Sequence, residues 1–379
     1  MLSIITCTIL SDRRLPLEII HKTIPAPKDC YTDTYLKNNT AFFDIETTGF
    51  SAKNCFIYLI GLVIRKDETL EIFQFFAENP MEEKEILTAF YRYLSPVSTL
   101  ICYNGLTFDI PFLKQRTEKQ NLSFSWENFR IMDIYQEMRP FLNLLHLPDK
   151  KQKTLEMFLG IQREDSYTGG ELVAVYKEYE KQPAEEKKSL LLLHNYEDIL
   201  GMTKLLPLFS YLRFFAGEPD ITSAKLEETL PFGADSPKKE LQITLNTSLP
   251  FPARLTVEKE MYRLTFRENH VYLFIPVLEG ELYFYYENYK DYYYLPLEDM
   301  AVHKSVASFV DKSHRKKATK SNCYTRRRGL FLPQQADWFA PCFYPGKIEK
   351  SSWFEYGGDF LSDSKKIALY VKNVLSLFI

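Results

Sequence analysis

The chain has 379 residues, more than one hydrophobic core usually organises, so two domains are expected. Its 45% hydrophobic and 26% charged residues are ordinary for a globular chain and exclude a disordered tail, a collagen-like repeat and a membrane bundle. The net charge of −3 advertises no nucleic-acid partner, yet residues 301–330 carry nine Lys or Arg against one Asp, leaving −11 for the rest.

Taken in chain order, residues 1–10 are apolar but lack a basic flank and a cleavage site, so they read as a strand rather than a signal peptide. Three β-rich runs at 41–46, 56–65 and 70–76 predict a meander, and the apolar spacing of 81–94 predicts a helix. A buried strand at 99–103, a helix from 108, a strand at 129–133 and a helical tail to 212 follow. This order predicts an α/β domain at 38–215, behind a 1–37 extension, with three antiparallel strands, further parallel strands and flanking helices. Gly and Pro mark 216–240 as a linker. Beyond it, 241–379 reads as a strand-rich α+β module. Its strands fall at 241–245, 253–257, 262–267, 270–277, 281–286 and 292–295, with helices at 298–310 and 364–378. Six scattered cysteines form neither a CxxC pair nor a zinc-spaced cluster, which points to a reducing, cytoplasmic setting.

The chemistry is carried by carboxylates in three places. In the run Phe43-Asp44-Ile45-Glu46-Thr47-Thr48-Gly49, Asp44 and Glu46 lie two apart on a strand and share a face. Two such charges persist most easily around a cation, and an oxygen-only site suits Mg²⁺ or Mn²⁺. Apolar flanks argue against a merely solvated face. Asp109, in Asn104-Gly105-Leu106-Thr107-Phe108-Asp109, opens a helix, where it serves either as a cap or as a ligand. His194 and Asp198, four apart on a predicted helix, share a face.

Together these motifs resemble those of the DEDD 3′–5′ exonucleases of the ribonuclease H-like superfamily, most of all the YprB-type domain of bacteria. DxE matches at Asp44 and Glu46, and N-x3-F-D matches at Asn104, Phe108 and Asp109. The third motif, His194-x3-Asp198, joins the histidine of one branch to the spacing of the other. The resemblance covers roughly residues 40–212. It implies a ribonuclease H-like fold and hydrolysis of phosphodiester bonds at the 3′ end of single-stranded DNA or RNA with two divalent ions. Asp44, Glu46, Asp109 and Asp198 would be the metal ligands, with His194 orienting or deprotonating the attacking water. Thr47, Asn104 and Phe108 would lie near the terminal nucleotide. A non-catalytic nucleic-acid-binding protein on the same fold and an endonuclease are the alternatives. Asp133 reads as a capping or supporting residue and His146 as a loop or core histidine.

Two features lie outside the resemblance. Residues 283–294 hold eight aromatics in twelve, read either as strand core or as a base-stacking platform. Residues 312–328 form a basic run, either a solvated face or a phosphate-tracking strip that includes Lys316, Arg326, Arg327 and Arg328. Nucleic acid is the expected partner, with no membrane and no obligate protein partner.

Overall fold

Backbone pairing, more than apolar patterning, decides how the chain begins. The computed structural model describes residues 6–11, 17–229, 237–347, 349 and 351–379, and it divides into two compact units, Met1–Arg213 and Phe214–Ile379. The first opens with β1 (Thr6–Ser11), β2 (Glu18–Pro25) and α1 (Cys30–Tyr35), whose N-terminus is capped by the Asp29 carboxylate. The meander follows as β3 (Thr40–Thr47), β4 (Ile57–Lys66) and β5 (Thr69–Phe76). Then come α2 (Glu83–Tyr93), β6 (Thr99–Cys102), α3 (Asp109–Lys119) and β7 (Arg130–Asp133). Five helices end the unit: α4 (Ile134–Leu142), α5 (Gln152–Phe158), α6 (Gly169–Lys181), α7 (Glu185–Lys204) and α8 (Phe209–Ala216).

The sheet order is β1-β2-β5-β4-β3-β6-β7. β6 and β7 run parallel to β3 while the other pairings are antiparallel. The segment expected as an N-terminal extension therefore contributes strands: β2 pairs with β5 from Glu18↔Phe76 to Pro25↔Thr69. Residues 1–5 of the expected first strand lie outside the described residues.

β3 is covered on both sides. Phe43 and Ile45 pack with Ile86 and Phe90 of α2 and Ile110 and Leu113 of α3. On the other side Tyr58 and Leu59 of β4 meet Leu172 and Tyr176 of α6 and Leu191 of α7. This α/β/α sandwich leaves the C-terminal end of β3 between α3 and α7. Gly61 sets the spacing of α7: a Cβ there would meet Asn195 Oδ1 and lie 2.8 Å from Ile199 Cγ2. Glu185–Ala216 is long and apolar enough to span a bilayer by composition, but 61% of its apolar window is buried, as in a core helix.

The second unit contains β8 (Asp220–Thr229), β9 (Lys238–Asn246), β10 (Leu255–Lys259), β11 (Tyr262–Arg267) and β12 (His270–Tyr285). They are followed by β13 (Tyr292–Leu295), β14 (Met300–His303), α9 (Lys304–Ala307), β15 (Lys316–Lys317) and β16 (Tyr324–Gln334). β17 (Ser352–Glu355), α10 (Gly358–Ser362) and α11 (Ser364–Leu375) close it. The large sheet runs β10-β11-β12-β16-β17, with β9 also on β12 and β8 on β9; a small sheet runs β14-β13-β15. The expected strand-rich module is present. Three expectations change. The linker instead carries β8, a largely exposed strand with no apolar alternation, while its residues 230–236 lie outside the described residues. The expected strands at 270–277 and 281–286 are one strand, because Gly280 stays in register opposite Gly329. The helix expected at 298–310 is β14 followed by a four-residue helix, because Tyr292–Leu295 pairs with Met300–His303.

Candidate active site

The end of β3 presents Asp44 and Glu46 on one face, and α3 and α7 supply their neighbours. Asp109, at the first position of α3, accepts the Ile45 N–H at 3.2 Å, so the second motif is tied to the backbone of the first. On α7, Asn195 donates to Asp44 Oδ2 at 3.3 Å and accepts from Gln74 Nε2 at 3.1 Å. His194 and Asp198 flank it on the same helical turn, with His194 Nε2 3.1 Å from Asp198 Oδ2 and 3.5 Å from Glu46 Oε1. The four carboxylates and the histidine from three separated segments thus meet in one cluster.

Its electrostatics follow from burial without full compensation. Desolvation, with repulsion from Asp109 and Glu46, holds the Asp44 carboxyl well above its usual range. Desolvation pushes Glu46 up to about 8, against the opposing pull of His194. Asp109 is pushed up to about 7 by burial, relieved in part by the Ile45 N–H. Asp198 differs. Burial would raise it, but hydrogen bonds and charge from His194 and Arg163 hold it below the ordinary value. Burial would likewise lower His194, yet the Asp198 hydrogen bond, the Glu46 charge and the Asp165 hydrogen bond push it up to about 9. Both ring nitrogens thus face carboxylate oxygens, Nδ1 that of Asp165 and Nε2 those of Asp198 and Glu46.

A divalent cation fits this donor set. Glu46, His194 and Asp198 can each place one ligand atom within 4.8 Å of the others. Asp44 and Asp109, buried carboxyl groups whose pKa burial raises, add hard oxygen donors.

Several residues at this site carry no sequence signal. Asp165, in the loop before α6, holds His194 Nδ1 at 2.6 Å and receives Lys153 Nζ at 2.7 Å. Arg163 bridges Glu156 and Asp198. An open cavity of about 690 Å³ is lined by Asp44, Glu46, His194 and Asp198 together with Lys150, Lys151, Lys153, Tyr103 and Tyr135. In the sequence these lysines fall in the stretch Asp149-Lys150-Lys151-Gln152-Lys153, which no motif singles out.

Among the expected substrate neighbours, Asn104 lines the cavity in a left-handed conformation (φ 60°), its backbone N–H given to Asp133 at 2.8 Å. Thr47 is buried, with its hydroxyl on the Gly49 carbonyl at 2.9 Å. Phe108 packs on Phe112 and Phe50, with centroids 5.5 and 6.2 Å away. Asp133 caps α4 and also holds the Leu106 N–H, and His146 is an exposed left-handed residue. In the second unit the expected basic strip is split. Arg326 pairs with Glu281 at 3.1 Å and Asp299 at 3.6 Å, and Arg327 with Glu355 at 2.9 Å, so their charge is already answered within the fold. Lys316 and Arg328 are exposed.

Residues 41–209 match the sequence model of the RNase_H superfamily. The first domain has a ribonuclease H-like fold. Among solved structures, the family B DNA polymerase of the archaeon Pyrobaculum calidifontis is similar at 15% identity, over 55% of this chain and 29% of the polymerase (TM-score 0.38). Exonuclease I of E. coli in complex with a dT13 oligonucleotide is similar at 12% identity, over 56% of this chain and 55% of that one (TM-score 0.32). The chain thus spans less than a third of the polymerase and about half of the exonuclease. No curated protein sequence matches it.

Proposed function

We propose that the ribonuclease H-like domain is a divalent-metal-dependent 3′–5′ exonuclease acting on single-stranded DNA or RNA ends. The observation that carries this reading is the convergence of Asp44, Glu46, Asp109 and Asp198 on one partly open, electrostatically under-compensated cluster. The superfamily match over the same residues supports a nuclease of this class.

The four carboxylates are the residues that would hold two Mg²⁺ or Mn²⁺ ions, whose chemistry when bound is to polarise the scissile phosphate and activate water. Asp165 fixes the His194 ring through Nδ1, so Nε2 points at Glu46 and Asp198 and can move a proton at that edge. Lys150 and Lys151 bring positive charge to the lining of the same cavity, where a phosphate can be received. Tyr103 and Tyr135, with ring centroids 6.0 Å apart, offer an apolar surface to a terminal base.

The test is incubation with 5′-labelled single-stranded DNA and RNA in Mg²⁺ or Mn²⁺, beside Asp198→Ala and a chelator control. The expected result is a ladder shortening from the 3′ end that both controls abolish. Cleavage of a circular single strand would instead indicate an endonuclease. One observation favours a non-catalytic reading: Arg163 and His194 already neutralise Asp198. Strand binding without cleavage in either metal would establish it.

A further inference from the structure

The second domain presents a basic and aromatic face that cleavage chemistry does not use. β15 pairs with β13 so that Tyr293 stands opposite Lys317 and Tyr294 opposite Lys316. Opposed residues share a face, and faces alternate along a strand. Tyr292 and Tyr294 pack onto the small core of Ala301, Ala318 and Cys323, which assigns Tyr293, Arg315 and Lys317 to the opposite face. The Arg315 guanidinium, 5.0 Å from the Tyr293 ring centroid, confirms that placement. It also donates to the Ala307 carbonyl, so this cation is held in place and loses little freedom on meeting an anion.

The surrounding charges are uncommitted. Lys312, Lys316, Lys317 and Lys320 are exposed, and among the described residues none of them meets a carboxylate. The one acid of the segment, Asp311, is occupied by the N–H and hydroxyl of Ser313 at 2.8 and 2.6 Å. Phe309, just ahead of these lysines, is 91% exposed. An exposed apolar ring three residues ahead of the first of these lysines supplies what a single strand requires, because its phosphates need cations and its unpaired bases need a π surface. A duplex hides its base faces, and an acidic peptide would leave the ring without a partner.

We propose that the exposed edge formed by β15 and its flanks, with Tyr293, Arg315 and Lys317 on one face, Lys316 on the other and Phe309 and Lys320 in the adjoining turns, is a binding surface for the backbone and bases of single-stranded nucleic acid. The choice of nucleic acid over an acidic protein rests on the nuclease reading of the first domain; the surface itself does not.

The experiment is fluorescence anisotropy of the full chain, in chelator, with a labelled oligothymidine or oligouridine of roughly 20 nucleotides. Affinity is read between about 50 and 200 mM salt. Lys316→Glu/Lys317→Glu/Lys320→Glu is expected to weaken binding at least tenfold. It should also flatten the logarithmic salt slope by about 2, since each phosphate contact to a single strand contributes about 0.7. Phe309→Ala is expected to cost about fivefold or more with the slope unchanged. Lys225→Glu/Lys259→Glu, a charge change elsewhere in the same domain, should leave affinity close to that of the parent. The surface is refuted if the triple variant binds with the affinity and slope of that control. Displacement of the strand by polyglutamate, with no effect of Phe309→Ala, would also overturn it in favour of an acidic partner. Cleavage of a dinucleotide separates the two readings. Loss of strand binding in the triple variant supports the surface even where no form of the protein cleaves, and that second result would sink the nuclease reading alone.

Discussion

His194 has three carboxylate neighbours, one at Nδ1 and two at Nε2. Asp165 touches only its Nδ1 edge, away from the cavity, whereas Asp198 and Glu46 touch Nε2. Asp165 is therefore a positioning residue, and such partners typically matter by about 10- to 100-fold when removed. Asp165→Asn should lower kcat by that order while KM for a long strand stays near the parent value, and the pH profile of kcat should shift with the loss of a negative neighbour. An unchanged kcat and profile would show that ring orientation is set elsewhere. His194→Ala should cost more, on the order of 10²–10⁴ in rate, with Mn²⁺ binding retained by calorimetry. Turnover near the parent value would remove His194 from the reaction.

The protonation pattern of the same cluster makes stability depend on pH. Glu46, Asp109 and His194 hold protons up to about 8, 7 and 9, against ordinary values of 4.5, 3.8 and 6.5. All three shifts are upward, so the folded state binds more protons than the unfolded one between roughly pH 4 and 9, and stability falls as pH rises through that window. The raised carboxylates here reverse the usual direction for Asp and Glu. In chelator, the Tm should drop from pH 5 to pH 9. Mg²⁺ or Mn²⁺ should flatten the curve, because a cation replaces the protons at the high-pH end. A Tm that rises with pH in chelator would contradict the crowding of these groups. Asp44 and Glu46 were legible in the sequence because period-two spacing within an apolar strand is a strong signal. Asp165, Arg163 and Glu156 were not. They lie in a loop and on a short helix whose approach to α7 is tertiary, and no local spacing encodes it.

At the scale of elements, the site depends on how closely α7 lies on the sheet. Gly61 pairs with Asp44 across β3 and β4, and α7 crosses directly above it. Gly61→Ala must push Asn195 and Ile199 outward, an overpacking that typically costs about 1–3 kcal/mol. The helix that moves is the one carrying His194 and Asp198, so the Tm and the rate should fall together. Gly170→Ala is the contrast, because a Cβ there meets nothing within 4 Å. Equal Tm values for the two variants would mean that α7 yields without strain. The strands and helices from β3 to α7 were readable from apolar patterning, because the helices bury one face while β3 and β4 are apolar-rich runs buried over most of their length. β8 was not, since its Lys225, Glu227 and Glu228 face water and the strand is recognised by its pairing to β9. The turn at residues 296–299 hid the β13–β14 hairpin in the same way: apolar residues at 300–302 and 306–310 mimic a helical face, while cross-strand pairing with Tyr292–Leu295 wins.

At the scale of the whole molecule, charge is segregated rather than balanced. The total is −3, yet the basic excess is concentrated in residues 301–330, and within it Arg326 and Arg327 are already neutralised. If Lys312, Lys316, Lys317 and Lys320 each meet one phosphate, the logarithmic salt slope for a single strand is about −2.8. Raising salt from about 50 to 200 mM should then weaken strand binding about 50-fold. Cleavage inherits this dependence only through capture. For a long strand, KM should rise steeply with salt while kcat at saturation stays level, because the proposed chemical step involves only the first domain's carboxylates. A dinucleotide has one phosphate, which the site over Asp44 and Glu46 must take, so its KM should respond weakly. Steady-state kinetics with the two substrates at four salt concentrations measure this directly. Parallel salt slopes for both substrates would mean that the basic face takes no part in capture. A steep slope for the long strand alone would make the second domain the element that holds substrate for the first.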